Sequence, residues 1–352
     1  MAPTAAVPRS VLSAYGLAGA KVEPIKAGWI NQTWRVTSKA GEPHVLQKVN
    51  PMFPTAVHAD IEAVTAHLEA RGVLTPRLVP ARKGGLFVQA DDAVWRLLTH
   101  IDGETRLLVT DTPAAHEAGR MLARFHAALE DFEYHFQFRR AGVHDTPRHL
   151  KRLRDALAAR KEHPRYASVA PLANDIVQAA TQLPKLPPLP RRKVHGDPKI
   201  SNVLFARGSH KALCLVDLDT LSDMPLPLEI GDALRSWCNI AGEDTRESDF
   251  SASIFEAAIE GYAEEAMPSI SALEIRAIVP ASFTIGLELA ARFCADALFE
   301  DFFGWIPERF SSHSEHSEVR AAGQLAAALS LRRQSTALER IVANAFGNLD
   351  AD

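Results

Sequence analysis

The chain has 352 residues, 47% hydrophobic and 23% charged, with a formal net charge of -4; this suits a globular protein of two or three lobes and argues against a polybasic nucleic-acid or membrane-surface role. Its three cysteines, Cys214, Cys238 and Cys294, form no CxxC pair and sit in apolar runs, so buried free thiols in a reducing cytosol are expected rather than a disulfide frame. The opening MAPTAAVPRS lacks the apolar stretch of a signal peptide, and no uninterrupted apolar run approaches the length of a membrane span, so a soluble, cytoplasmic protein is expected.

From Val22 to Ile101 the pattern is one of short β-rich runs: NQTWRVTS, HVLQKVN, GGLFVQA and AVWRLLTHI. Between the second and third lies AVHADIEAVTAHLEARG, with apolar residues at helical spacing and a stop at Gly72. A small, mostly antiparallel sheet carrying one helix follows from this alternation. THIDGET breaks the last strand at Asp102-Gly103 and marks a hinge, dividing the chain into residues 1–101 and 102–352.

Beyond the hinge, helical periodicity dominates. DTPAAHEAGRMLARFHAALEDF opens with Asp111 or Thr112 as a cap and Pro113 in the first turn. Two further helical segments follow, then PKLPPLP delivers the chain into a compact strand–turn–strand stretch at 193–219. Helices are expected again near 248–265, 271–301 and 314–346. His126, within the first of these helical segments, reads as a packing residue.

The chemistry concentrates in KVHGDPKISNVLFARGSHKALCLVDLDT. His195, Asp197 and Asn202 stand in the order H-x-D-x-x-x-x-N, and Asp217 ends the apolar run ALCLVD. Phosphoryl transfer needs one carboxylate to take the proton of an attacking hydroxyl, and an amide oxygen plus a second carboxylate to hold magnesium against nucleotide phosphates. Asp197 is therefore the candidate base, Asn202 and Asp217 are the candidate metal ligands, and His195 is expected to brace the loop. Lys199, inside the loop, balances phosphate charge in this scheme.

HGDPKISNVLF resembles the catalytic loop of the aminoglycoside phosphotransferase and choline kinase superfamily. LVDLDT with EIGDALRSWCN, the opening GWINQTWRV with HVLQKVNPMF, and LELAARFCADAL are similar to the N-acetylhexosamine 1-kinase branch. The resemblance implies an α+β, bilobal, protein-kinase-like fold: an antiparallel-sheet nucleotide lobe with one main helix, and a larger helical lobe carrying the catalytic loop. ATP and Mg2+ are the implied cofactors, and the implied substrate is a small-molecule hydroxyl, with no nucleic-acid or membrane partner and a monomeric or homodimeric state.

On the same resemblance, Gly28, Asn31 and Thr33 cover the phosphates, and Lys48 binds them with Glu62 as its helix partner. Gln47 points to the opposite face by strand alternation, so a one-residue shift of register swaps the two. The backbone of Thr99, His100 and Ile101 meets the adenine edge. Asp219, Asp223, Asp232, Arg235 and Arg292 form the candidate substrate set, with capping of the helix ALRSWCN open as the alternative for Asp232 and a structural ion pair as the alternative for Arg235.

Other acceptors share the same loop, including homoserine, choline and aminoglycosides. A choline site would want an aromatic cage, for which Trp237, Phe302, Phe303 and Trp305 are the available residues. A catalytically idle nucleotide sensor would be expected to lose Asp197, Asn202 or Asp217, and all three are present. No zinc-spaced cluster and no GxxxxGK[ST] occurs, which argues against a zinc hydrolase and a P-loop kinase.

Overall fold

Alternating apolar positions build the first sheet of the computed structural model, which describes residues 6–25 and 30–347. Gly28 lies outside these residues. After a short helix α1 (Arg9–Ala14), strands β1 (Lys21–Ile25), β2 (Gln32–Thr37) and β3 (Pro43–Val49) form an antiparallel meander. Helix α2 (Val57–Ala70) follows, then β4 (Leu78–Val79), β5 (Val88–Ala90) and β6 (Ala93–Thr99), which pairs with β3, β4 and β5. The sheet order is β1-β2-β3-β6-β4, with β5 also on β6.

The two faces of this sheet have different fates. Trp34, Val36, Leu46, Trp95 and Leu97 point one way and are covered by Val11, Tyr15 and Leu17 from the α1 region. Trp34 and Trp95 lie with ring centroids 5.4 Å apart. Val49 and Leu98 point the other way and join Val57, Ile61, Val64 and Leu68 of α2 in the main core. Each such buried side chain contributes roughly 1.5–3 kcal/mol, so both faces are held by apolar burial.

Residues 100–103 carry the chain across to β7 (Glu104–Thr105). Here Gly103 is required: a Cβ would stand 2.6 Å from the Phe205 carbonyl oxygen. The second lobe holds α3 (Thr112–Ala128), α4 (Thr146–Ala159), α5 (Tyr166–Ala180), β8 (Arg191–Val194), β9 (Val203–Phe205), β10 (Ala212–Leu215) and β11 (Ser222–Pro225). It ends with α6 (Leu226–Trp237), α7 (Ala252–Glu264), α8 (Ala272–Arg276), α9 (Ile278–Phe299), α10 (His313–Arg333) and α11 (Ser335–Ala345). The fold is the bilobal, protein-kinase-like α+β arrangement.

Asp111 caps α3 by accepting from the Ala114 amide at 2.9 Å, with Pro113 in the first turn. The expected long helices 271–301 and 314–346 are each two helices, broken at Ala277 and Gln334. Gln334 spends its side-chain amide on the Phe250 carbonyl at 2.9 Å. Helix α9 is long and apolar enough to cross a membrane, but 89% of its most apolar window is buried; it packs against α4, α5, α6 and α10 as the spine of the second lobe. The three cysteines are free and buried, as expected.

Candidate active site

Strand β8 feeds the segment 195–202 and β9 leads away from it. Because β8 pairs with β11 and β9 with β7 and β10, both ends of the loop are anchored. The buried Glu229 of α6 accepts the His195 amide at 2.9 Å and the Gly196 amide at 3.0 Å. Gly196 has φ 85°, and a Cβ there would meet the Thr220 carbonyl oxygen at 2.0 Å, so only glycine allows this turn.

His195 is fully buried. Its Nε2 lies 2.9 Å from the Val216 carbonyl oxygen and its Nδ1 lies 3.3 Å from the Asp197 amide. Burial holds the imidazole below its ordinary range, so the neutral ring donates from Nε2 and accepts at Nδ1. It ties the loop to the strand end that carries Asp217. His126 is likewise a packing residue, buried with Nδ1 2.8 Å from the Tyr262 hydroxyl.

Asp197 projects from this braced loop. Its Oδ2 accepts from Lys199 Nζ at 2.6 Å and Asn202 Nδ2 at 3.2 Å. Burial alone would raise the carboxyl, but the Lys199 ammonium holds it below its ordinary value. Burial would lower Lys199, yet Asp197 and then Asp217 keep it above its usual range. The Asp197 carboxylate is therefore ionised at neutral pH and already turned toward a cation.

Asn202 Nδ2 also donates to the Asp197 carbonyl at 2.8 Å, which leaves Oδ1 without a hydrogen-bond partner among the described residues. Asp217 sits in the left-handed region at φ 66°, ψ 58°, a conformation non-glycine residues adopt rarely. Among the described residues its carboxylate has no hydrogen-bond partner. Burial, then the charge of Asp219, pushes it up to about 6. An amide oxygen beside an unpartnered, destabilised carboxylate suits a hard divalent cation. Magnesium is characteristically held by one or two protein oxygens together with phosphates and water.

The nucleotide-side expectations need correction. Register places Lys48 opposite Trp95 and Gln32, on the face that packs against α1. Gln47, paired with Arg96 and Thr33, holds the inner face. The cation there is Arg96 of β6, 2% exposed, bonded to both Asp219 oxygens at 2.5 and 2.7 Å and to Gln47 Oε1 at 2.8 Å. Glu62 does not reach Lys48; it pairs with Arg77 at 2.7 Å. The α2 residue within electrostatic range of Arg96 and Asp219 is His58.

Asn31 donates to Asp219 at 2.7 Å and accepts the Asn50 amide at 2.9 Å; Thr33 Oγ1 accepts from Gln47 at 3.3 Å. Asn31 thus joins the two lobes, while the Thr33 contacts stay within the sheet lobe. Thr99 ends β6, with its amide on the Arg77 carbonyl and its hydroxyl accepting the Arg77 amide, both at 2.9 Å. His100 and Ile101 follow in the crossing segment, which has no helix or strand of its own.

Of the substrate candidates, Asp219 is fully used by Arg96 and Asn31 and is not available to a substrate. Asp223 is turned toward the β8 hairpin, held by Lys193 at 2.6 Å with Arg139 at 3.5 Å. It lines a cavity of about 200 Å³ with Arg191, Arg192 and Lys193. Asp232 and Arg235 form an ion pair at 3.0 Å, extended to Glu243 at 2.9 Å, so the ion pair weighed for Arg235 is present, while Asp232 lies inside α6 rather than at its cap. Even so, Arg235 lies within electrostatic range of Asp197. Arg292 of α9 lies within electrostatic range of Arg140, Asp232 and Arg235.

Arg96, Arg140 and Glu229 were not among the sequence candidates. A lone arginine within the apolar run of β6 was a readable signal for Arg96. Arg140 sits in an irregular segment between α3 and α4, where no periodicity marks it.

The family model described as phosphotransferase enzyme family matches residues 21–267. The chain belongs to this phosphotransferase family. The match spans the sheet lobe, the braced loop and Asp217. Among solved structures, an aminoglycoside phosphotransferase from Alicyclobacillus acidocaldarius has a TM-score of 0.62 at 17% identity, covering 96% of this chain and 98% of that one. A microcompartment-associated aminopropanol kinase gives 0.62 at 17% identity, covering 94% and 97%. The amicoumacin kinase hAmiN, solved with AMP-PNP and Ca2+, gives 0.58 at 13% identity, covering 87% of each chain. The phosphotransferase thus shares its fold with all three along nearly its whole length.

Proposed function

We propose that this phosphotransferase moves the γ-phosphoryl group of ATP to a hydroxyl of a small molecule, a sugar such as an N-acetylhexosamine, with magnesium as the metal. The observation that carries this is the pairing of an ionised, loop-held Asp197 with an unpartnered Asp217 and a free Asn202 oxygen. Asn202 and Asp217 would hold the metal, which neutralises charge on the phosphates when bound. With the Thr99 amide already on the Arg77 carbonyl, lobe division at residues 101/102 leaves the backbone of His100 and Ile101 for the adenine edge. A cytoplasmic setting is part of the same proposal.

Asp197 orients the acceptor hydroxyl and takes its proton as the new O–P bond forms. The bond between the γ-phosphorus and the β,γ-bridging oxygen breaks, ADP leaves with that oxygen, and the proton passes from Asp197 to solvent. A loose transition state asks little basicity of the carboxylate, so a pKa below the ordinary value is compatible with the role. Lys199, bonded to Asp197 at 2.6 Å, stands ready to balance the transferred group.

ADP release is the test, measured with MgATP over N-acetylhexosamines, hexoses, homoserine, choline and aminoglycosides, with Asp197→Asn as control. A sugar-dependent signal lost in the variant is expected. Turnover retained by the variant removes Asp197 from its role, and a preference for choline or aminoglycosides removes the sugar assignment.

A further inference from the structure

Two arginines beside the loop have no carboxylate of their own. Arg140 comes from the segment between α3 and α4, and Arg292 from α9. Among the described residues neither makes a hydrogen bond or an ion pair. Instead both guanidinium groups rest on one ring, 5.7 and 5.6 Å from the Phe302 centroid, and Arg292 lies 5.4 Å from that of Phe303.

The acids around them are already matched. Asp197 is bonded to Lys199 and Asp232 to Arg235. Glu288, one turn before Arg292 on α9, accepts from Thr146 at 2.8 Å and faces His144 Nδ1 at 3.2 Å. Burial alone would lower His144, but Glu288 holds it above its ordinary range, so that pair is also balanced. What remains is positive. Burial, followed by the charge of Arg140 and then Arg235, lowers Arg292, partly offset by Glu288 and Asp232. A guanidinium stays charged at any ordinary pH, and two half-buried guanidinium groups over one ring repel each other unless an anion joins them.

Their position says which anion. Arg140 is within range of the Asp197 carboxylate, and Arg292 within range of the Asp232–Arg235 pair. We propose that Arg140 and Arg292 receive an anionic substituent of the acceptor, a carboxylate, sulfate or phosphate ester, while its hydroxyl meets Asp197. This rests on the phosphotransferase assignment of Asp197. Planar, bidentate guanidinium groups match such oxyanions in geometry. Cationic acceptors would meet like charge, and the Phe302 ring, otherwise a wall for an ammonium, already carries both arginines.

The test uses acceptor pairs that differ only in the anionic group: N-acetylglucosamine and its 6-sulfate, glucose and glucuronate, ribose and ribose 5-phosphate, with choline as the cationic comparison. Turnover is measured with saturating MgATP for the wild type, Arg140→Gln, Arg292→Gln and Arg292→Lys. In the wild type the anionic member is preferred in kcat/KM by about tenfold or more, the effect of one charge-assisted contact. That ratio collapses toward one in the Gln variants, chiefly through KM, and is partly restored in Arg292→Lys. Equal use of both members, or a preference for choline, overturns the proposal. So does a uniform fall in kcat across all acceptors, which assigns the arginines to the transferred phosphoryl group instead.

A second arm needs no turnover. Sulfate is titrated by calorimetry into the MgADP-loaded protein. Binding by the wild type and its loss in the Arg140→Gln/Arg292→Gln double variant is expected; a double variant that binds sulfate as tightly, or a wild type that does not bind it, overturns the proposal. Failure of the phosphotransferase assignment would show separately, as turnover that survives Asp197→Asn.

Discussion

Arg96 and Asp219 meet as a buried, two-pronged ion pair, with Arg96 on the last long strand of the sheet lobe and Asp219 two residues beyond Asp217. Asn31 completes the Asp219 contacts, so two parts of the sheet lobe converge on one carboxylate of the helical lobe. The pair therefore joins the lobes beside the carboxylate expected to hold the metal.

Removing one partner of such a pair leaves the other charged and buried. Arg96→Met should lower stability by about 3–5 kcal/mol and weaken nucleotide binding. The double variant Arg96→Met/Asp219→Leu should recover much of the stability without the binding. Denaturant unfolding of the single and double variants checks this; a single variant no less stable than the double would remove the bridge from this role.

Lys48 projects from the opposite face of the sheet and has no ion pair or hydrogen bond among the described residues. Lys48→Gln should shift stability by less than about 0.5 kcal/mol, as surface substitutions do, and leave nucleotide affinity near that of the wild type. A loss of affinity as large as that of Arg96→Met would return Lys48 to the phosphate site.

Asp217 takes up a proton at about 6, against an ordinary value of 3.8. Its folded pKa is raised, so the stability linked to its protonated form is present below about pH 4 and is lost as pH rises through 6. Asp217→Asn should therefore raise the melting temperature of the ligand-free protein at pH 7.5 and abolish metal-dependent nucleotide binding. In the wild type, that binding should weaken as pH falls below about 6, because the cation and the proton compete for one carboxylate. Differential scanning fluorimetry with and without MgADP, from pH 5 to 8, separates these effects.

Asp197→Asn removes the proposed proton acceptor while keeping the side-chain shape. The turnover number should fall by about 10²–10⁴-fold, the usual range for general-base loss, with MgADP affinity little changed. Single-turnover kinetics and nucleotide titration measure the two separately, and a parallel loss of both would point to a collapsed loop.

Alternation and helical period were enough to read β2, β3, α2, β6 and the capped start of α3. The breaks at Ala277 and Gln334 escaped, because helical period continues across both and the Gln334 break involves the distant Phe250 carbonyl. Helix α1 escaped too: at six residues it is too short to show a period, and it is held by docking on Trp34 and Trp95.

By itself, the sequence determined the chemistry of the loop. Asp197, Lys199 and Asn202 stand within a few residues of one another, and short-range geometry brings them together wherever β8 and β9 are paired. Only the tertiary structure decided which cation faces Asp219, since a strand shows its two faces through a one-residue difference that a local pattern leaves ambiguous. The Arg96–Asp219 pair spans 123 positions, and Arg140 meets Arg292 only across the packed second lobe. Contacts at such separation arise from how the lobes close on each other and how the helices of the second pack, and no local periodicity records them.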